Sequence, residues 1–283
     1  MSKLRYLNLG CGSHFHTDWV NVDFSKTGEG VIAQNLLEGI PFEDNTFEVV
    51  YHSHVLEHFP RDKARDFIQE CYRVLMPGGI IRIAVPDLEQ IVKNYIRLFE
   101  TGKANLDNNE IRADYDWIMT EMYDQAVRST SGGEMIKYLS KEKLDNEDFI
   151  YSRLGHEAKM IRQGMVSPHN RQSHRVPSLR NAYRLIRNAI SPRNYKTHLF
   201  KLFFNKEYKL IELGKFRLSG EIHQWMYDSY SLGSLLKDVG FKKIDQKKFD
   251  HSNIPDWKYF SLDEVNDVVR KPDSLFMEAI KQI

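Results

Sequence analysis

Cysteine is nearly absent from this chain. Two thiols, Cys11 and Cys71, stand among 283 residues. That excludes a disulfide-stapled scaffold and fits a reducing, cytoplasmic compartment. Long apolar runs are absent too. None approaches the roughly 20 residues of a membrane-spanning helix, so membrane contact is at most peripheral. The N-terminus enters a strand pattern almost at once, which leaves no room for a signal peptide. There is no internal repeat and no low-complexity run. Net charge is small, at +1, but it is unevenly spread. Between Arg171 and Arg217 twelve Lys/Arg face two Asp/Glu, leaving about −9 for the remainder.

What is present is a strand–helix alternation. Leu4–Leu9, Trp19–Phe24 and Phe47–Tyr51 read as buried parallel strands. Arg61–Leu75 reads as a helix with Ala64, Phe67, Ile68, Cys71 and Leu75 on one face, halted by Pro77-Gly78-Gly79. Cys71 is expected to be buried and inert. Ile80–Val85 is a continuous apolar strand apart from Arg82. Pro86-Asp87 opens a helix with Leu88, Ile91, Val92, Tyr95 and Leu98/Phe99 inward. This rhythm implies a parallel sheet with helices on its faces and a ligand at the carboxyl ends of its strands. Only nine residues, Gly10 to Asp18, join the first two strands, so the crossover helix is expected to shrink to about one turn.

From about residue 100 to 220 the rhythm is lost. Helical stretches (Ile111–Val127, Asp148–Gln163), Pro168, Pro177 and the basic segment read as an inserted cap. The organisation expected is therefore a core over 1–100, a helical and basic cap over 101–220, and completion of the sheet over 221–283. In that last part Ser231–Val239 reads as a helix ended by Gly240, Phe241–Gln246 as a strand, Ser261-Leu262-Asp263-Glu264 as a capping box before a short helix, and Ser274–Ile280 as the last strand.

Chemistry concentrates at Leu7–Asp23. Gly10-Cys11-Gly12 ends the first strand, where glycine lets backbone approach a ligand. Asp23 ends the second, where a carboxylate can hold a ribose by its two hydroxyls. The blocks LNLGCG (7–12), VNVDF (20–24), IPFEDNTFEVVYHSHVLEH (40–58), YRVLMPGG (72–79) and LLKDVGFKKI (235–244) resemble the class I S-adenosylmethionine (SAM) methyltransferases, in the small-molecule branch typified by ubiquinone and menaquinone biosynthesis. HQWMYDSYSLGSLLKDVGF (223–241) and KPDSLFMEA (271–279) resemble methyltransferases associated with polysaccharide and lipopolysaccharide assembly.

The resemblance implies a Rossmann-like α/β fold: a mostly parallel seven-stranded sheet carrying a mainly helical inserted cap. It implies SAM as cofactor. Gly10, Cys11 and Gly12 would lie under its methionine part, Asp23 at its ribose, and Asn35-Leu36 at its adenine. Tyr51 and His52 would border its methionine end. The third glycine of the family's usual loop is replaced by Ser13-His14.

Three residues stand where an acceptor could lose its proton: His54, Asp87 and His223. Each also has a plain structural role open to it, such as helix capping for Asp87 and packing against Trp225 for His223. Trp225 and Tyr227 could wall an acceptor pocket or belong to the core. His54-Val55-Leu56-Glu57-His58 spells a zinc-peptidase signature. It falls inside a block that the resemblance already accounts for, so Val55 and Leu56 are read as core and Glu57 and His58 as loop contacts. His14, His16, His52 and His54 could cluster from neighbouring strand ends, but as polar groups around a ligand; no metal is assigned. The expected acceptor is a small molecule or glycan, and the basic segment would suit an anionic one. Nucleic acid is disfavoured because Tyr51-His52-Ser53-His54 stands where amino-base methylases carry an Asn/Asp-Pro-Pro-aromatic motif, and no RNA-binding module is recognisable. A non-catalytic SAM-binding partner or sensor is the remaining alternative.

Overall fold

A computed structural model describes residues 5–166 and 203–282. Seven strands form one sheet: β1 (Tyr6–Leu9), β2 (Val20–Asp23), β3 (Val31–Ala33), β4 (Phe47–Ser53), β5 (Leu75–Pro86), β6 (Lys242–Lys247) and β9 (Ser274–Ile280). Their order is β3-β2-β1-β4-β5-β9-β6. β1 to β5 run parallel, and β9 inserts antiparallel between β5 and β6. This is a Rossmann-like fold, with the chain order reversing at β1 so that a crevice opens beyond β1 and β4.

The two faces of the sheet are covered by different means. Leu7, Leu9, Val22 and Val50 point to one face. There they meet Ala64, Phe67, Ile68 and Cys71 of α1 (Arg61–Val74) and Leu232 and Leu236 of α8 (Ser229–Val239). Asp228 caps α8, accepting from Ser231 N–H at 2.7 Å, and Gly240 closes it. Tyr6, Val49 and Tyr51 point to the other face, as period-2 alternation requires.

No helix covers that second face between β1 and β2. The expected single turn of helix is replaced by two plain turns, closed by His14 N–H to Cys11 O at 3.3 Å and Trp19 N–H to His16 O at 3.2 Å. Asn21 holds the short link. Its Nδ2 donates to His16 O and Trp19 O, both at 2.9 Å, and its Oδ1 accepts from Asn8 Nδ2. Cover comes instead from the far end of the chain: Ile254, Trp257, Phe260 and Leu262 pack on Tyr6, Trp19, Val49 and Tyr51.

Arg82 pins that cover in place. It is fully buried on β5. Its guanidinium donates to Asp263 Oδ2 and Glu278 Oε1, each at 2.8 Å, and to the carbonyls of Lys248, Phe249 and His251. It lies 4.4 Å from the Trp257 ring centroid. Asp263 also accepts from Tyr51 Oη at 2.6 Å. With Asp263 buried this way, Ser261–Glu264 does not start the helix that its capping-box pattern suggests. The short helix α9 (Trp257–Phe260) precedes it, and β7 (Glu264–Val265) and β8 (Val268–Val269) form a small hairpin after it.

The inserted region begins after α2 (Leu88–Ala104). Helices α3 (Asn109–Val127), α4 (Gly133–Leu139), α5 (Glu147–Leu154) and α6 (His156–Val166) share their own core around Trp117, Leu139, Ile150 and Ala158. On α2, Ile91 and Leu98 are buried, but Val92 and Phe99 face solvent, because α3 covers one narrow stripe of the helix. The single helix expected over 148–163 is broken at Gly155, whose φ is +59° and whose missing side chain admits Pro272. Most of the basic segment, with Arg171 to Lys201, lies outside the described residues. Its end is α7 (Asn205–Arg217). Among the described residues no helix is long and apolar enough to cross a membrane.

Two outcomes test this packing. Arg82→Ala leaves two buried carboxylates unpaired, and urea unfolding should show a loss of about 3–5 kcal/mol. His52 is the second. It is wholly buried on β4, with neither ring nitrogen hydrogen-bonded, and burial pushes it down from 6.5 to about 4. Between those values the unfolded chain takes up a proton that the folded chain refuses. Stability is therefore kept above pH 6.5 and falls by roughly 3 kcal/mol as pH drops towards 4. His52→Phe should flatten that part of the stability–pH curve, measured by denaturant midpoints at pH 7 and 4.5.

Candidate active site

At the carboxyl ends of β1, β2 and β4 lies a cleft of about 430 Å³, within the range of small-molecule sites. Gly10, Asp23, Asn35, Leu36, His54, Val55 and His58 line it, and Leu218–Gly220 close one side from the end of the insertion. Gly10 has φ +63°, and a Cβ there would fall 2.3 Å from Val55 Cγ2. Only glycine allows β4 and the first loop to meet at this point.

Asp23 is oriented by backbone. Gly12 N–H donates to its Oδ2 at 2.8 Å and Ser25 N–H to its Oδ1 at 3.3 Å. A carboxylate offers about four acceptor positions, so two remain for ligand hydroxyls. Thr27 Oγ1 donates to Gly12 O at 2.5 Å and Cys11 N–H to Val22 O at 3.1 Å, which fixes the loop over β2. Burial, with the Asp23 charge adding to it, pushes the Cys11 thiol up to about 11, so it stays protonated and is no nucleophile.

Asn35 caps the 3-10 turn Leu36–Glu38. Its Oδ1 accepts from Leu37 N–H, and its Nδ2 donates to Glu38 Oε1, both at 3.1 Å. The strand leading to it, β3, goes unseen in the sequence because it has only three residues among turn formers. Phe24, 72% exposed, also lines the cleft and was not singled out from sequence.

Tyr51 and His52 are not brought to the cleft by their side chains. They sit deep in β4 and point to its opposite faces, Tyr51 to Asp263 and His52 to Phe67. The four histidines of the strand ends also separate. His14 Nε2 meets Ser261 O at 2.9 Å, His16 packs on Tyr259 and Phe260, and His52 is in the core.

His54 does reach the cleft, and it holds φ at +55°. Its Nε2 lies 2.8 Å from Ser274 Oγ and its Nδ1 3.3 Å from Glu57 Oε1. Asp87 instead caps α2, accepting from Glu89 N–H and Gln90 N–H at 3.0 and 3.4 Å. Burial raises its pKa. His223 comes to Glu57, with Nε2 at 4.0 Å, and packs edge-on against His58 and not on Trp225. Burial lowers His58 and takes His223 down to about 3, so both rings are neutral at neutral pH. Trp225 is partly exposed under the Arg61 guanidinium. Tyr227 is buried, and its carbonyl accepts from Leu88 N–H at 2.9 Å.

Residues 7–83 match the family model of the methyltransferase domain. That match spans 77 of the 283 residues, and over them the chain is similar to a methyltransferase domain. Over 60 residues the chain is 44% identical to a probable methyltransferase of Aspergillus luteorubrus, ltbC, which covers 20% of this chain and 21% of that protein. The chain thus aligns with about a fifth of that curated relative's length. Among solved structures it is similar to a SAM-dependent methyltransferase from Archaeoglobus fulgidus, at 13% identity over 98% of this chain and 86% of that one, with a TM-score of 0.39. It is also similar to a putative methyltransferase in complex with the Haloferax volcanii Trm112 methyltransferase activator, at 10% identity over 99% and 84%, with a TM-score of 0.40.

SAM fits the residues of this domain. The cradle at Gly10 bars any side chain, Asp23 is held with acceptor positions to spare, and Asn35 and Leu36 stand beside it in the same cleft. Asp23→Ala should weaken SAM binding about 10- to 100-fold in calorimetry, the scale of charged hydrogen bonds to a ligand. The variant should remain folded by circular dichroism.

Proposed function

We propose that this chain transfers a methyl group from SAM to an oxygen of a small polar acceptor, a sugar or a related anionic metabolite. The observation that carries the reading is a single cleft in which the cofactor residues Gly10, Asp23 and Asn35 share walls with His54 and His58. Bound SAM supplies an electrophilic methyl group on its sulfonium. The protein's part is to hold an acceptor in line and take its proton, and alignment alone is worth roughly 7–11 kcal/mol.

His54 is the residue we assign to the proton. It lines the cleft, Glu57 Oε1 lies 3.3 Å from its Nδ1, and its Nε2, 2.8 Å from Ser274 Oγ, is the nitrogen that would exchange that serine for the acceptor hydroxyl. Asp87 and His223 are not among the cleft-lining residues. Asp87 orders α2, and His223 acts through Glu57 as a positioning residue. In the reaction the acceptor hydroxyl would give its proton to His54 Nε2 as its oxygen takes the methyl group that bound SAM supplies. The products are a methyl ether and S-adenosylhomocysteine.

An anionic acceptor is favoured by the twelve Lys/Arg against two Asp/Glu in 171–217 and by the resemblance to methyltransferases of polysaccharide assembly. Cytoplasmic residence belongs to the same reading and rests on two free cysteines. The test is a labelled-methyl screen over nucleotide sugars, glycans and small acids. Turnover is expected with one acidic or phosphate-bearing class. Joint Gln replacement of Arg180, Arg184 and Arg187 should raise acceptor KM and leave SAM affinity alone. An unchanged KM would remove the anionic acceptor from the proposal.

A further inference from the structure

Glu57 is the least explained residue of the site. Its side chain is 1% exposed, and neither carboxylate oxygen receives a hydrogen bond. Buried polar atoms are nearly always partnered, and an uncompensated buried charge costs several kcal/mol. Yet the protein builds a wall of nitrogens around this one. His54 Nδ1 is 3.3 Å away, and His58 Nε2 and His223 Nε2 are each at 4.0 Å. One ligand atom from each of Glu57, His58 and His223 falls within 4.8 Å of the others.

The surrounding bonds orient these groups. His58 Nδ1 lies 3.1 Å from Ile222 O. A carbonyl only accepts, so Nδ1 carries the proton and the lone pair of Nε2 faces Glu57. An imidazole that donates one N–H to a carbonyl and offers its other nitrogen inward is the usual arrangement of a metal-ligating histidine. His223 is set by backbone. Its own N–H donates to Gln125 O at 2.9 Å, and Gln224 and Trp225 N–H both donate to Glu57 O, at 2.7 and 3.2 Å. The lone pair of His58 Nε2 faces the Glu57 carboxylate, His223 Nε2 stands 4.0 Å from the same oxygen, and a cation between them would meet all three.

We propose that Glu57, His58 and His223 form a binding site for a divalent transition-metal ion of the zinc and iron(II) class. Two imidazoles and one carboxylate are the donor set of catalytic sites that keep a coordination position open. Metal–ligand bonds of about 2.1 Å bring tetrahedral ligands to about 3.4 Å apart, so each imidazole closes on Glu57 by little more than half an ångström from 4.0 Å, and the two imidazoles close on each other from within 4.8 Å. His58 lines the cleft that holds Asp23. The open position would thus face the acceptor, where an ion lowers the pKa of a bound hydroxyl. That role rests on the methyl-transfer reading; the site itself does not.

The test uses the full chain, stripped with a chelator and titrated with zinc chloride by calorimetry, then with cobalt(II) followed by visible absorption. We expect one ion per chain, a cobalt band of four- or five-coordinate type, and a Tm raised by zinc but not by magnesium. His223→Ala and Glu57→Gln should each weaken zinc binding at least 100-fold, while His251→Ala, an exposed histidine of the far sheet face, should not. Saturable SAM binding by His223→Ala shows that the cofactor half stands apart from the metal. If the folded wild type takes up no zinc, or if His223→Ala and Glu57→Gln bind it as wild type does, the site is overturned and the methyl-transfer reading survives. If zinc binds but no acceptor is ever methylated, the site survives and that reading falls.

Discussion

One buried cation holds the second face of this sheet. The nine-residue link between β1 and β2 is too short to lay a helix there, so that face must be covered from elsewhere. Arg82 does it by collecting Asp263, Glu278 and three carbonyls of 248–251 onto the middle of β5. Apolar residues could bury the same area, and a buried ion pair rarely gains stability over them. Arg82 adds direction instead. Its donors each demand a partner, so the 248–278 segment has one way to lie. Tyr51 and Trp257 are then placed by the same node.

The opposite face carries the consequence. With β1, β2 and β4 fixed side by side, their carboxyl ends open into one crevice. Gly10 lets Val55 come against the first loop, and the left-handed backbone at His54 turns the chain sharply away from β4. Such a conformation is uncommon for a histidine and persists where the surroundings impose it. Here the turn delivers His54 and His58 to the cleft wall with Glu57 buried behind them, and Ser274 on β9 meets the first of them.

How much of this was readable from sequence depends on how far apart the partners lie. Gly10 and Asp23 end the first two strands, so the α/β rhythm alone gathers them, whereas Asn35 was reached through the family resemblance because the three-residue strand before it is too short to read. The last strand, Ser274–Ile280, matches its apolar run residue for residue. The side-chain directions of Tyr51 and His52 were not legible because a parallel sheet is buried on both faces, and alternation then carries no sign of which face meets the ligand. The pattern Ser261–Glu264 reads as a helix start only while Asp263 is free to cap; Arg82, 181 residues away in sequence, takes it. The same holds for Glu57 and His58. His-x-x-Glu-His is a short and ambiguous motif, and what gives it meaning is a loop at 222–225 that the fold returns across 164 residues.

The two halves of the site therefore obey different constraints. The cofactor half is made of backbone amides, a glycine without room for a side chain, and one oriented carboxylate, all within the first two crossovers. Any change there meets the sheet itself. The histidine half depends on the exit of the insertion, Leu218 to Trp225, being laid against Glu57. Gln224 and Trp225 N–H fix that exit by donating to the Glu57 carbonyl. The carbonyl of Glu57 thereby keeps the register between 224–225 and the strand ends around the cleft.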